Sequence, residues 1–281
     1  MGPVANWWTT AKTKLLGTGS RTQPKIGLAL GGGFARGIAH IGVLRVLEAN
    51  HIPIEFIAGV SAGSIVASAY ASGATPDEIE QFAGRMKFSD VARWTLNWMG
   101  LMDGKRMESF LGRILKVTCF EQMRIPLAVV ASDLITGKPV VFRDRGDVIL
   151  PVRASCAYPG LFLPVRHEGR CLVDGMISMD VPAMPLHRMG ANRVISVALP
   201  APAENVDPHN LLAVINRCFQ VLTARTDFEW RRYSSAVIAP DVCDIGWDAF
   251  ASSQQLVEAG EHAARAALPA IRQWLDTAGT L

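Results

Sequence analysis

The sequence is poor in charge: Asp, Glu, Lys and Arg make up only 19% of its 281 residues, against 49% hydrophobic, and the mean hydropathy is +0.21. That balance excludes a disordered acidic or basic chain and supplies enough apolar residues for a sizeable core. Acidic residues are absent from the first 25 positions, where Lys12, Lys14, Arg21 and Lys25 put +4 of a net charge of only +3, leaving the other 256 residues at −1. A body so nearly neutral has no domain-wide positive field, so nucleic acid is not an expected partner. The five cysteines, Cys119, Cys156, Cys171, Cys218 and Cys243, are odd in number and show neither CxxC nor Cys/His spacing. Free thiols in a reducing, cytoplasmic setting are expected, with no metal. The first 25 residues also lack the apolar stretch of a signal peptide, and Asn6 stands where a myristoylation motif requires Ser or Thr.

Long hydrophobic runs are nearly absent as well. Phe56 to Ala74 is uncharged for 19 residues, a length that raises the question of a membrane span, but its Gly, Ser and Ala content suits lipid poorly. Strand and helix patterns explain it better. "KIGLAL" (25–30) reads as a strand, "GGGFARG" (31–37) as a turn and 38–50 as a helix. "EFIAGV" (55–60) is a second strand and 62–73 a second helix ended by Gly73, after which Thr75 caps a third with Pro76, Asp77 and Glu78 in its first turn. Strand, helix and strand within about 35 residues form a βαβ unit with buried parallel strands. Further strands are expected at 126–132, 139–142, 170–174, 193–199 and 235–239, and helices at 105–116, 209–230 and 253–276. The apolar, poorly periodic stretch 88–104 reads either as a lid or wall over a pocket or as buried loop packing. Together these make one α/β domain over 25–281 preceded by a flexible basic arm, 1–24.

Two glycine-rich turns stand out. "GVSAG" (59–63) matches G-x-S-x-G between a strand and a helix, the context in which Ser61 projects at the strand's carboxyl end while Gly59 and Gly63 keep the crossing clear. The Gly31–Gly33 run follows the first strand and leaves backbone N–H groups uncovered for an oxyanion or a phosphate. A nucleotide site is the rival, but the spacing is not G-x-G-x-x-G and no Gly-Lys-Ser/Thr follows. An oxyanion hole is preferred, with Arg36 fixing the loop or supplying charge. For a base, Ser61, Asp174 and a late histidine (His187, His209 or His262) would satisfy the order of an α/β-hydrolase triad. None of those histidines sits at an evident strand end, whereas Asp174 closes "RCLVD" (170–174) and precedes Gly175, well placed to take the serine proton directly.

These segments together resemble the patatin-like phospholipase family, in its bacterial branch. Its pattern is a G-G-G-x-R/K-G oxyanion loop, a G-x-S-x-G serine and an Asp-Gly turn, matched here by Gly31 to Gly37, Gly59 to Gly63, and Asp174-Gly175. "AHIGVLRVLE" (39–48), "ASDLITGKPVVF" (131–142), "VRASCAYPGLFLPV" (152–165) and "VEAGEHAARAALP" (257–269) extend the likeness over roughly 25 to 275. Met176 and Asp180 depart from it, standing where the family usually has Gly or Ala and often Asn. The resemblance implies a three-layer αβα fold with a mostly parallel sheet. It also implies a serine acyl hydrolase of phospholipase or lysophospholipase type, with a Ser61–Asp174 dyad and no cofactor. Gly31, Gly32, Gly33 and Ala62 would then be oxyanion donors, and Arg36, Gly59, Gly63 and Gly175 would support them. The stretch 94–102 and "YPGLFLPV" (158–165) could line an acyl channel, and Arg153 could orient the loop near Asp174 or pair with a carboxylate. Two other classes remain open: a membrane-associated scaffold of the same fold with little turnover, and a Rossmann-like nucleotide module. Beside a lipid hydrolase, Trp7, Trp8, Lys12, Lys14, Leu15 and Leu16 of the arm become a candidate contact with a peripheral, anionic membrane surface.

Overall fold

A computed structural model describes residues 23–279 apart from 87, 201–206 and 209. Nearly all of the expected arm, its Trp7 and Trp8 included, lies outside the described residues. In chain order the elements are β1 (Ile26–Leu30), α1 (Ala39–Ala49), β2 (Ile54–Val60), α2 (Ala62–Ser72), α3 (Pro76–Gly84), α4 (Phe88–Val91), β3 (Arg93–Asn97), β4 (Gly100–Asp103) and α5 (Arg106–Ile114). There follow β5 (Leu127–Asp133), β6 (Pro139–Arg143), α6 (Ile149–Ser155), β7 (Gly160–Phe162), β8 (Val165–His167), β9 (Arg170–Asp174), α7 (Ala183–Met189), β10 (Arg193–Val197), α8 (Leu211–Arg231), β11 (Ala236–Ile238) and α9 (Ser253–Gly279).

The main sheet runs β11-β10-β1-β2-β5-β9-β8, with β6 also on β5. Its first five strands are parallel, and β6, β9 and β8 pair antiparallel. A strand buried on both faces has no polar side to offer, and β1 and β5 are buried at every residue. The two faces differ in size. Ile26, Leu28, Leu30, Ile57 and Val129 meet the α1, α2 and α9 layer, while Ala29, Ala58 and Ala128 face Ala183 and Leu186 of α7. Small side chains on that second face let α7 come close. A Cβ on Gly27 would already stand 3.1 Å from Ala191 and Leu186. The layers are therefore helix, sheet, helix.

On the bulky face, α1 and α9 cross in near backbone contact. A Cβ on Gly42 would lie 2.0 Å from the Val257 carbonyl oxygen, and one on Gly260 1.9 Å from that of Ala39. Thr75 caps α3 as its sequence implied, its hydroxyl accepting the Glu78 N–H while Glu78 accepts the Thr75 N–H.

The stretch 88–104 fits each of its two readings only in part. It forms α4 and the antiparallel hairpin β3–β4, joined to β7 as a separate three-stranded sheet; Val91, Ala92 and Met102 are buried in the core and Asp103 and Gly104 line a pocket of about 260 Å³, while Trp94, Trp98, Met99 and Leu101 are exposed. Among the described residues no helix is long and apolar enough to cross a membrane, and the uncharged run 56–74 is β2, a turn and α2.

Candidate active site

Ser61 sits alone between the last residue of β2 and the first of α2, with φ 51° and ψ −127°. A positive φ at a non-glycine residue costs on the order of 1–3 kcal/mol, so the surrounding structure must hold it. Three bonds do so. The Ser61 N–H donates to Ser155 Oγ at 2.8 Å, and that hydroxyl donates in turn to the Val130 carbonyl at 2.6 Å. The Ser61 carbonyl accepts the Ser64 N–H at 2.8 Å. Gly59 and Gly63 make the crossing passable: a Cβ on Gly59 would meet Ser64 Cα at 2.5 Å, and one on Gly63 the Leu30 carbonyl oxygen at 2.3 Å.

Asp174 arrives by strand register. Val60, next to Ser61, faces Val130 in β5, and one residue further along β5, Ala131 faces Asp174 at the end of β9. Positions 113 apart in sequence thus come within one hydrogen bond, Ser61 Oγ–H donating to Asp174 Oδ2 at 2.7 Å. The other carboxylate oxygen accepts the Met176 N–H at 3.0 Å, and the Asp174 N–H donates to the Ala157 carbonyl at 2.9 Å. Gly175 fits the turn because a Cβ there would stand 2.1 Å from the Val130 carbonyl oxygen. Met176 therefore contributes its backbone N–H whatever its side chain.

Asp174 is fully buried, and burial lifts its carboxyl to about 7. The Met176 and Ser61 hydrogen bonds pull it down, and the Asp180 carboxylate pushes it further up. Burial, and then repulsion from Asp227, raises Asp180 itself to about 7. The base-candidate carboxylate is thus poised near neutrality instead of being fully ionised there.

The glycine run divides its work. The Gly31 N–H is taken by the Val197 carbonyl at 3.0 Å, extending the sheet, and the Gly32 N–H reaches the Asp180 carbonyl at 3.3 Å. Four free donors were expected, but only the Gly33 and Ala62 N–H groups have no acceptor among the described residues. Gly32 matters for space: a Cβ there would lie 3.4 Å from Ser61 Cβ and 3.8 Å from Met176 Cβ. The loop is braced by two residues. His40, fully buried, donates Nε2–H to the Gly31 carbonyl at 2.9 Å, and burial lowers its pKa to about 4, so the ring is neutral. Arg36 donates Nε–H to the Ile245 carbonyl at 2.9 Å.

No histidine hydrogen-bonds to Ser61 or Asp174 among the described residues. His187 bonds the Tyr233 carbonyl, His262 is exposed and His209 lies outside the described residues, so the triad reading finds no partner among the described residues. Arg153 pairs with Glu108 at 2.7 Å. Ser155, His40 and the Ala157 carbonyl escaped the sequence reading. Ser155 and Ala157 lie inside the quoted "VRASCAYPG" segment, but nothing in its pattern assigns a bond to either.

Beside the site lies a cavity of about 520 Å³, lined among others by Phe34, Arg36, Tyr158, Leu161, Leu212 and Trp247. Phe34 directly follows Gly33, and Tyr158 directly follows Ala157, whose carbonyl holds the Asp174 N–H, so the cavity wall is continuous in the chain with both segments; Ser61 and Asp174 themselves do not line it. Its aromatic wall is edge-packed, with Phe34 4.9 Å from Tyr158 and 5.1 Å from Trp247 between ring centres. Of the expected channel residues, Tyr158 and Leu161 line this cavity and 94–102 do not.

Fold and site together define an α/β protein whose elbow serine is bonded to a carboxylate, with no histidine hydrogen-bonded to either among the described residues. The family model described as patatin-like phospholipase matches residues 28–187, and the chain belongs to that family. It is 33% identical over 213 residues to an uncharacterized NTE family protein of Mycobacterium tuberculosis, covering 73% of this chain and 59% of the relative. It is 30% identical over 226 residues to Lysophospholipase NTE1 of Mycosarcoma maydis, covering 78% of this chain and 12% of that protein. The chain thus spans well under two thirds of the length of these relatives. The crystal structure of VipD from Legionella pneumophila shares the fold, with a TM-score of 0.51 at 14% identity over 91% of this chain and 67% of that one.

Proposed function

We propose that this chain, through residues 25–281, is a serine acyl hydrolase that cleaves lipid acyl esters with a Ser61–Asp174 dyad. The observation that carries the reading is the 2.7 Å bond from Ser61 Oγ to buried Asp174, made at a strained elbow with no histidine hydrogen-bonded to either residue among the described ones. Ionised Asp174 accepts the Ser61 proton as Oγ attacks the ester carbonyl. The carbonyl oxygen becomes an oxyanion held by the Gly33 and Ala62 N–H groups and by the α2 N-terminus. Collapse breaks the ester C–O bond, the alcohol leaves with the proton held by Asp174, and the acyl group stays on Ser61. Water then gives a proton to Asp174 and attacks the acyl carbon; collapse breaks the acyl–Oγ bond, the carboxylic acid leaves, and Ser61 Oγ takes the proton back from Asp174. Burial of Asp174 favours its neutral form, so the proton transfer costs less than it would to an exposed carboxylate.

The adjoining aromatic cavity suits an acyl chain. The family and the lysophospholipase relative support a lipid ester over a small polar one. The test is labelling with a fluorophosphonate probe alongside hydrolysis of p-nitrophenyl esters and phospholipids. Wild-type protein is expected to label at Ser61 and to turn over ester, and Ser61→Ala to do neither. Turnover unchanged in Ser61→Ala would refute the proposal.

A further inference from the structure

We infer that the β3–β4 hairpin is a lipid-surface anchor that holds the site against the bilayer carrying its substrate, an inference resting on the lipid-ester reading above. Trp98 and Met99 occupy the two central positions of the turn joining Asn97 to Gly100, and Trp98 is fully exposed (relative exposure 105%). Trp94 follows at 72% exposed, Met99 at 51% and Leu101 at 39%. Four large exposed apolar side chains within one short hairpin are a concentration that solvent alone does not explain.

Three observations choose a lipid surface as its occupant. The first is placement: Trp98 and Met99 are at the turn, Trp94 is on the face of its cross-strand partner Met102 and Leu101 is on the other, a distribution around the hairpin that suits a deformable partner better than a packed protein face. The second is chemistry. Tryptophan's apolar ring and polar N–H suit the boundary between headgroups and acyl chains, and Met and Leu suit the layer beneath. The third is charge. No acidic residue occurs from Val91 to Met102, and exposed Arg93, Lys105 and Arg106 ring the base of the hairpin, where anionic headgroups would lie. The nearby acids are Asp90 and Asp103, both half-buried, with Asp103 accepting the Lys105 N–H, and Glu108, which is paired with Arg153.

The anchor is tied rigidly to the site. β4 pairs with β7 through Gly100–Gly160 and Met102–Phe162, and the Leu163 N–H donates to the Met102 carbonyl at 2.9 Å. β7 begins two residues after Tyr158, a wall of the cavity beside Ser61. α8 packs over Gly160 through Ile215 and Leu212, and the same turns of α8 carry exposed Leu211 and Val214, which extend the apolar surface. A bilayer gripped by Trp94 and Trp98 is therefore coupled, through β7 and α8, to Tyr158 and Leu212 in the cavity wall.

The experiment compares wild-type full-length protein with Trp98→Glu and Trp94→Ala/Trp98→Ala by co-sedimentation with mixed phosphatidylcholine–phosphatidylglycerol vesicles. Turnover of a monomeric p-nitrophenyl ester is measured without vesicles, and mass by analytical ultracentrifugation. Both variants are expected to lose about tenfold or more in vesicle partitioning, to lose vesicle-lipid hydrolysis in proportion, and to keep monomeric-ester turnover and melting temperature. Wild-type protein that does not sediment, or variants that sediment equally, would overturn the anchor. So would a wild-type dimer that the substitutions dissociate without altering vesicle binding, which would assign the patch to a second copy. Failure of the hydrolase reading is seen separately, as absent monomeric-ester turnover in wild type, and leaves the sedimentation result to be read by itself.

Discussion

Replacing Asp174 with Asn should abolish catalysis and at the same time make the protein more stable at neutral and alkaline pH. The Asn side chain preserves the local bonds, its oxygen accepting the Met176 N–H and its amide donating to Ser61 Oγ. What changes is the cost of a buried charge. The Asp174 carboxyl stands at about 7 in the fold against an ordinary value of 3.8. Between those two values folded-state Asp174 holds a proton that the unfolded chain has released, so its contribution to stability falls as pH rises from about 4 to about 7 and is level on either side. About three pK steps at ~1.4 kcal/mol each amount to about 4 kcal/mol lost by pH 8. The full figure applies because Asp174 has no exposed surface. Asp174→Asn cannot ionise, so its advantage over wild type should be near zero at pH 4 and about 4 kcal/mol at pH 8. At ~2–4 °C per kcal/mol, the variant should melt on the order of 10 °C higher there. Taking the difference between the two proteins at each pH cancels the titration of the shared groups that do not interact with Asp174; Asp180, which repels it, belongs to the effect being measured. The assay is thermal melting from pH 4 to 9 beside ester turnover. In wild type, kcat/KM should rise through pH ~7 as the base ionises, and the Asn variant should lose about 10²–10⁴-fold. A melting difference that does not grow with pH would refute the buried-charge argument, and retained turnover would remove Asp174 from the mechanism.

Gly32→Ala should fold normally, since its methyl meets neighbours only at 3.4–3.8 Å, yet lose about 100-fold or more in kcat because that methyl occupies the space beside Ser61 Cβ. Gly63→Ala should do the reverse work on the fold, with a Cβ 2.3 Å from the Leu30 carbonyl costing about 3 kcal/mol or more by denaturant titration; equal stability for the two variants would contradict the geometry. Ser155→Ala strands the buried Ser61 N–H and should cost about 1–3 kcal/mol while lowering kcat more than it raises KM, and a purely KM effect would count against its role in holding the elbow.

Local chemistry made much of this protein legible from its residues. Gly59-Val60-Ser61-Ala62-Gly63 between a β-rich run and a helical one can form only a tight strand-to-helix turn if Ser61 is to project. Asp174 at the end of "RCLVD" with Gly175 after it reads as a turn carboxylate. The elements that escaped notice are short: β7 and β8 have three residues each, and α6 and α7 have seven, less than the window in which a period of 2 or 3.6 declares itself. The hairpin at 93–103 escaped for another reason, since its exposed Trp94, Trp98 and Met99 carry the composition of a core.

Other facts are decided by contacts between distant segments, which no local pattern encodes. The register of β5 against β2 and β9 brings Ser61 to Asp174, and a one-residue slip would part them. The Val197 and Asp180 carbonyls engage the Gly31 and Gly32 amides, which leaves Gly33 and Ala62 as the donors without a partner among the described residues. Complete burial moves the Asp174 carboxyl from the ordinary carboxylate range up to about 7. Residue identity thus determined which atoms were available for chemistry, and tertiary packing decided which were free, how strongly each holds its proton, and which apolar side chains were left facing outward.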